Sequence, residues 1–220
     1  MKWIEKIKKK LQRKSIILEV FEEGAEITNR ILENLVFVLD AFCEHDREKI
    51  QKYCATAMEL ENELHNIYHT SVEKMFSRKI MNFSREERHL IMSKLLDLGD
   101  LSNFIIRRIK AHHPYIDPEI TQYLQKGIPF IKKSGNELKK LVINLFQNFD
   151  KAQDNIWKIH HIQRELWSLE VDFFKNIYQN DLNPENILYL EILERNLRNI
   201  VMIMVRFSDK ARTLILKYTL

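Results

Sequence analysis

Residues 15–44 read SIILEVFEEGAEITNRILENLVFVLDAFCE. Apolar side chains recur along this stretch mostly at steps of three or four residues, with one step of six after Phe21. This is the period of an amphipathic helix, in which residues three or four apart share a face. The stretch therefore predicts one long helix whose apolar face packs on other helices. The apolar positions are Ile17, Val20, Phe21, Ile27, Ile31, Leu35, Val38 and Phe42.

Five further segments show the same period. In chain order they span residues 46–78, 84–113, 117–149, 156–177 and 183–216. The third helix of the chain is predicted to begin at a capping box, Ser84-Arg85-Glu86-Glu87, and to end before Pro114. The fourth is predicted to begin at Asp117-Pro118-Glu119, with proline at the first helical position. Gly127 and Pro129 predict a kink or an interruption near its first turns.

The composition also favours long helices. Only four glycines and four prolines occur in 220 residues, and there is no Asn-Gly or Asp-Gly hairpin signal. The clearest break is HHPYIDP, residues 112–118. Because three helices precede it and three follow it, we expect an all-α fold of two tandem three-helix bundles within one domain, residues 1–220. Residues 1–112 and 117–220 would then be pseudo-repeat halves.

The sequence contains no recognisable catalytic motif. A Gly-rich phosphate loop and the patterns G-x-S-x-G, H-E-x-x-H and C-x-x-C are all absent. Cys43 and Cys54 fall on apolar helix faces and are predicted to be buried hydrophobic residues, not a disulfide or a redox pair. We therefore expect a protein that is not an enzyme.

The chain carries no signal for secretion or membrane insertion. Its basic N-terminus is not followed by the apolar segment of a signal peptide, and no run approaches the roughly 18 apolar residues that a membrane span needs. These features predict a cytoplasmic protein. The formal net charge of +4 is too small to indicate a nucleic-acid partner, and none is expected.

Two pairs of carboxylates are candidate metal ligands. Glu59 and Glu63 lie one helical turn apart on the second helix, and Asp97 and Asp100 lie together on the third. Both pairs are predicted to face away from their apolar stripes, where they could hold a divalent cation at the surface of the bundle. The open alternative is an acidic surface that contacts only water. His65 and His69 have the same one-turn spacing, in register with Glu61, and could bind zinc or lie at the edge of the core.

The first fourteen residues, MKWIEKIKKKLQRK, are strongly basic. On a helix they would place Trp3 beside an apolar stripe flanked by cations, among them Lys8, Lys9 and Lys10. Such a helix could lie on an anionic membrane surface or contact a partner protein. The alternative is an ordinary helix start whose stripe packs on its own bundle.

The order of several short motifs resembles the PhoU-like family, and most closely its branch of PhoU-related proteins of unknown function and Pit-type phosphate-transport accessory proteins. The motifs are FEEGAE at 21–26, EHD at 44–46, MELENE at 58–63, FSREE at 83–87 and LDLGDLSN at 96–103. MELENE is similar to the family's E-x-x-x-D signature, and LDLGDLSN resembles its L-D-x-I-x-D segment. The resemblance covers nearly the whole chain and implies two three-helix bundles.

The resemblance also implies a surface metal site. Family carboxylates are implicated in binding metal clusters, and Glu59, Glu63 and either Asp97 or Asp100 match those positions, which implies a divalent, iron or zinc ion at a degenerate site. The positions that depart from the acidic pattern are Asn103, Gln163, Trp167 and Arg198, while Glu194 keeps it. Since a guanidinium repels a cation, these departures argue against a second metal site in the second half.

The function that the resemblance implies is a non-enzymatic regulator or accessory of inorganic phosphate transport. It would act through helical contacts with a phosphate permease or a signalling protein, at or near the inner face of the membrane. Two alternatives stay open at this point. One is a metal-binding bundle with a storage or enzymatic role, and the other is a dimeric helical interaction module. A homo-oligomer is expected as well.

Overall fold

The computed structural model describes the backbone of residues 2–76, 83–180 and 182–219, and the side chains of residues 18–72, 83–180 and 182–219. Six long helices account for nearly all of these residues, and no strand occurs in the described ranges. The predicted all-α fold is therefore confirmed. The helices are α1 (Lys2–Cys43), α2 (Arg47–Phe76), α3 (Arg85–Ala111), α4 (Pro118–Gln147), α5 (Phe149–Gln179) and α6 (Pro184–Thr219).

The helices pack in two groups of three. Helices α1, α2 and α3 contact one another, as do α4, α5 and α6, and the two groups meet along α1–α4 and α3–α6. One continuous apolar core runs through both groups. The ring of Phe21 on α1, for example, stacks on Phe146 of α4 with 4.6 Å between ring centroids. Such non-local burial is what keeps helices of this length folded. Whether the two groups are repeats of one ancestral unit stays a prediction.

Local sequence signals set several helix starts. The Ser84 hydroxyl accepts from the Glu87 backbone N–H at 3.2 Å, and the Glu87 carboxylate accepts from the Ser84 N–H at 2.6 Å, which completes the predicted capping box. Asp117 likewise accepts from the Glu119 N–H at 2.8 Å, directly before Pro118 at the first helical position. These caps fix where α3 and α4 begin.

Two helices are more continuous than the sequence predicts. The basic start and the stretch 15–44 form one helix, α1. Helix α4 runs without a break across Gly127 and Pro129. Pro129 removes the backbone hydrogen bond to the Gln125 carbonyl, but both residues are exposed, so water can satisfy that carbonyl. The neighbouring Ile128 is buried at 4% exposure, and its packing holds α4 against the core on the opposite side.

Cys43 and Cys54 are both free and buried, as predicted. Burial and the nearby Asp40 and Glu44 raise the pKa of the Cys43 thiol to about 12, so it stays a thiol at neutral pH.

The side chains of Trp3, Lys8, Lys9 and Lys10 lie outside the described residues. Among the described residues, no helix is both long enough and apolar enough to cross a bilayer.

Candidate functional site

A mixed carboxylate and imidazole cluster lies where α2 packs on α3. Glu61 and His65 come from α2, and Asp100 comes from α3. One donor atom of each residue lies within 4.8 Å of the other two, and no other group of three such residues occurs in the described part of the chain. The His65 Nε2 lies 3.0 Å from the Asp100 Oδ1. We call these three residues the α2–α3 cluster.

Arg107 closes one side of the α2–α3 cluster. Its guanidinium, two helical turns beyond Asp100 on α3, forms an ion pair with the Glu61 carboxylate. The Glu61 side chain is 17% exposed, whereas the Asp100 side chain is 48% exposed. The arginine therefore neutralises the more buried of the two carboxylates, and a cation at Glu61 would compete with it.

The structure does not bring the four predicted carboxylates together. Successive helical residues are rotated by about 100°, so residues two apart point to nearly opposite sides of a helix. Glu63 thus points away from Glu61 and towards α1, where it lies 3.8 Å from Arg30. Glu59 is exposed one turn before it. On α3, Asp97 pairs with Lys94 at 2.5 Å, while Asp100 alone reaches α2.

Asn103 is not on the surface at all. Asn103, where the sequence resemblance implies an acid, is 1% exposed, and neither its Nδ2 nor its Oδ1 has a hydrogen-bond partner in the described part of the chain. A buried unpaired amide costs about 1–3 kcal/mol. It therefore contributes to neither the acidic surface nor the stability of the core.

The corresponding region of the second half has a different chemistry. Gln163 donates to the Met202 sulfur at 3.4 Å, and the Trp167 side chain is 46% exposed. On α6, Arg198 donates to Glu170 of α5 at 2.9 Å. Glu194 lies beside this pair, in a cavity of about 60 Å³ lined mainly by apolar side chains.

The carboxyl of Glu194 is electrostatically unusual. Its Oε2 atom is buried and has no hydrogen-bond partner in the described part of the chain. Burial and the neighbouring Glu170 raise the pKa of this carboxyl from its ordinary value of 4.5 to about 7, against the opposing effect of Arg198. A protonated acid next to a guanidinium is a poor ligand for a cation.

Comparisons with known proteins agree on the fold. No protein-family model matches the chain, and no curated protein matches it. Among solved structures, a PhoU-like phosphate regulatory protein from Shewanella oneidensis MR-1 superposes with a TM-score of 0.83 at 10% sequence identity, covering 91% of this chain and 99% of that one. A second PhoU-like protein from the same organism superposes with a TM-score of 0.79 at 13% identity, with the same coverage.

These two likenesses establish that the chain has a PhoU-like fold. At 10% and 13% identity they establish the fold alone, and they do not separate the Pit-accessory branch from other PhoU-like proteins. The fold class that the sequence motifs imply is therefore confirmed. The branch stays a prediction.

The donors of the α2–α3 cluster define the ion that would fit. One imidazole and two carboxylates are a donor set for a borderline divalent ion such as Zn²⁺, and not for a multi-iron cluster held by many carboxylates. The sequence places Glu61 in register with His65, but it does not indicate that Asp100 of α3 joins them or that Arg107 pairs with Glu61. The usable signal was the spacing Glu61-x-x-x-His65, which places both side chains on one face of α2.

Proposed function

We propose that this protein is a non-enzymatic regulator or accessory of inorganic phosphate transport. The likeness of its fold, over 91% of the chain, to a PhoU-like phosphate regulatory protein carries this proposal. In the described residues, His65 and Asp100 of the α2–α3 cluster pair with each other and are partly exposed, while Glu61 pairs with Arg107, which suits a docking surface better than a reaction centre. The partner would be a phosphate permease or a signalling protein.

The proposed mechanism uses the six-helix bundle as a rigid scaffold. The basic start of α1 would favour the inner face of the membrane, since each lysine near an anionic surface contributes about 1 kcal/mol. Lys8, Lys9 and Lys10 would supply the charge and Trp3 the interfacial anchor. The bundle would then be held, in the cytoplasm, beside a membrane transporter.

The direct test is phosphate uptake in cells of the source organism that lack this chain. Altered uptake, together with co-purification of a phosphate permease or its signalling partner with the tagged protein, is the expected result. A variant with Lys8, Lys9 and Lys10 changed to glutamine should bind anionic vesicles more weakly. Unchanged uptake and no permease among the co-purified proteins would count decisively against the proposal.

A divalent metal site is the second candidate function, and the convergence of three donors in the α2–α3 cluster favours it. Glu61, His65 and Asp100 would hold the ion, which would stabilise the α2–α3 contact. We expect His65→Ala to weaken Zn²⁺ binding by about tenfold or more in a chelator competition. His69→Ala, one turn along the same helix, is the matched control. Equal Zn²⁺ affinity in both variants would exclude this site.

A homo-oligomer is also part of the proposal. Large apolar side chains are exposed on α5, including Trp167, Val171 and Tyr178. Light scattering over a range of protein concentrations measures the oligomeric state directly. A monomer at every concentration would rule out the interaction-module alternative.

A further inference from the structure

A basic groove lies between α4 and α5, on a part of the surface that does not include the α2–α3 cluster. It has a volume of about 470 Å³. Its lining residues are Lys133, Asn136, Glu137, Lys140, Lys158, His161 and Ile162. We call this surface the α4–α5 groove.

Glu137 positions two of the lysines. Its carboxylate accepts from Lys140 at 2.6 Å and lies 3.6 Å from the Lys158 ammonium group. Asn155, which is buried, donates to the same carboxylate at 2.7 Å and so fixes its orientation. The Glu137 side chain is only 12% exposed, whereas both lysine side chains are more than half exposed. The two ammonium groups are thus held close together with their outer sides open to a ligand.

The groove carries an excess of positive charge. Three lysines and one glutamate leave a net charge of +2. The third lysine, Lys133, lies over the Phe130 ring at 5.2 Å and has no carboxylate partner in the described residues. At the other end, His161 stacks on Trp157 with 5.4 Å between ring centroids, and Glu165 lies 3.8 Å from the imidazole. Trp157 is 63% exposed, so an aromatic face borders the groove.

We propose that the α4–α5 groove binds a compact anion that contains two or more linked phosphoryl groups. Lysine ammonium groups bind phosphate as point charges, and a net charge of +2 matches a multiply charged anion better than a single carboxylate. Lys133 and Lys140 lie two turns apart on α4, about 10 Å along the axis. A short phosphate chain can contact both ammonium groups along this interval, whereas a single tetrahedral phosphate would require the two flexible side chains to converge on one point.

Two sources share this chemistry: inorganic polyphosphate and a nucleoside polyphosphate. Trp157 would contact only the second, because it offers a face on which a base can stack. The proposal depends on the groove and not on the role in phosphate transport. A binding experiment on the purified protein therefore tests it whatever the outcome of the uptake experiment.

The test is titration calorimetry of the full chain with tripolyphosphate, ATP and orthophosphate, accompanied by tryptophan fluorescence. We expect saturable binding of tripolyphosphate that is tighter than that of orthophosphate and weakens with added salt. Equal affinities for tripolyphosphate and ATP would identify the phosphate chain as the ligand. Tighter binding of ATP, with a fluorescence change that is lost in Trp157→Leu, would identify a nucleoside polyphosphate. Both results support a ligand with linked phosphoryl groups.

Variants locate the site. Lys133→Gln leaves the Glu137 network intact, and Lys140→Gln with Lys158→Gln removes the clustered ammonium groups. Each should weaken tripolyphosphate binding by about tenfold or more, since each removes a charge-assisted contact. Glu137→Gln should instead tighten binding, because it removes the competing carboxylate while its amide oxygen can still accept from Asn155.

The charge control is Lys151→Gln with Lys175→Gln, which changes two exposed lysines of α5 outside the groove. It lowers the net charge of the chain as much as the double groove variant does, and it should leave binding unchanged. Three results would overturn the proposal. They are no saturable binding of tripolyphosphate or ATP, equal loss in the control and groove variants, and binding confined to RNA or to anionic vesicles.

Discussion

Replacing Glu194 by glutamine should make the protein more stable at high pH and leave it nearly unchanged at low pH. In the folded chain, burial and the neighbouring Glu170 raise the pKa of the Glu194 carboxyl from 4.5 to about 7. Folding therefore disfavours the ionised form. Glutamine has nearly the same shape and carries no charge at any pH, so it removes this penalty.

The direction and size of this change in stability follow from proton linkage. Below pH 4.5 the carboxyl is protonated in both the folded and the unfolded chain, and the shift has no effect. As the pH rises from 4.5 to about 7, the unfolded chain loses this proton first, and the folded state is progressively destabilised. The full shift corresponds to about 3 kcal/mol at about 1.36 kcal/mol per pKa unit. Because the side chain is only half-buried and water screens it, we expect about 2 kcal/mol.

The assay is urea unfolding of wild type and Glu194→Gln at several pH values. The variant should exceed the wild type by about 2 kcal/mol at about pH 8 and by less than about 1 kcal/mol at about pH 5. Glu59→Gln, which removes an exposed carboxylate on α2, is the matched control and should follow the wild-type curve. A difference between Glu194→Gln and wild type that is the same at all pH values would refute the reasoning.

Two further substitutions test the packing. Gly99→Ala would bring its Cβ within 2.5 Å of the Leu64 Cδ2 in the core, so we expect the free energy of unfolding, measured by thermal unfolding, to fall by about 1–3 kcal/mol. In Gly127→Ala the new Cβ meets nothing closer than 3.6 Å, and helix propensity should raise the free energy of unfolding by about 0.5–1 kcal/mol. A gain in both would contradict this account of Gly99. Glu87→Gln should lower stability by about 1 kcal/mol at neutral pH, because hydrogen bonds from two α6 side chains, against the opposing effect of burial, lower the pKa of Glu87 to about 2. That stabilisation is present above pH 4.5 and is lost as the pH falls towards about 2. If Glu87→Gln loses as much stability at about pH 2 as at neutral pH, this explanation is wrong.

The helices were predictable because their signals are local. The apolar period, the capping box at Ser84 and the Asp117-Pro118 start each lie within a few residues of the feature they determine. The effect of Pro129 was not predictable in the same way. Its consequence depends on whether the Gln125 carbonyl faces water or the core, and the packing of α4 decides that.

The candidate site was predicted only in part for a related reason. The sequence shows which residues share a face of one helix, but not which face of the next helix they meet. The rotation of α3 about its own axis determines that Asp100 reaches His65 while Asp97 turns to Lys94. Packing fixes that rotation, mainly through close contacts such as Gly99 against Leu64. The α4–α5 groove could not be predicted for the same reason. Its lysines on α4, Lys133 and Lys140, precede Lys158 on α5 by 25 and 18 positions.

The two charged surfaces give the two groups of helices different chemistry on a similar scaffold. The α2–α3 cluster offers a histidine and two carboxylates, which suit a cation, while the α4–α5 groove offers an excess of lysine ammonium groups, which suit a phosphoryl anion. On α6, Arg198 lies where the sequence resemblance implies an acid. If both surfaces bind their ligands, the two should bind independently, because the sites lie on different helices and share no side chain. His65→Ala should leave tripolyphosphate binding unchanged, and Lys140→Gln with Lys158→Gln should leave Zn²⁺ binding unchanged, because additive effects are expected for distant sites without shared side chains.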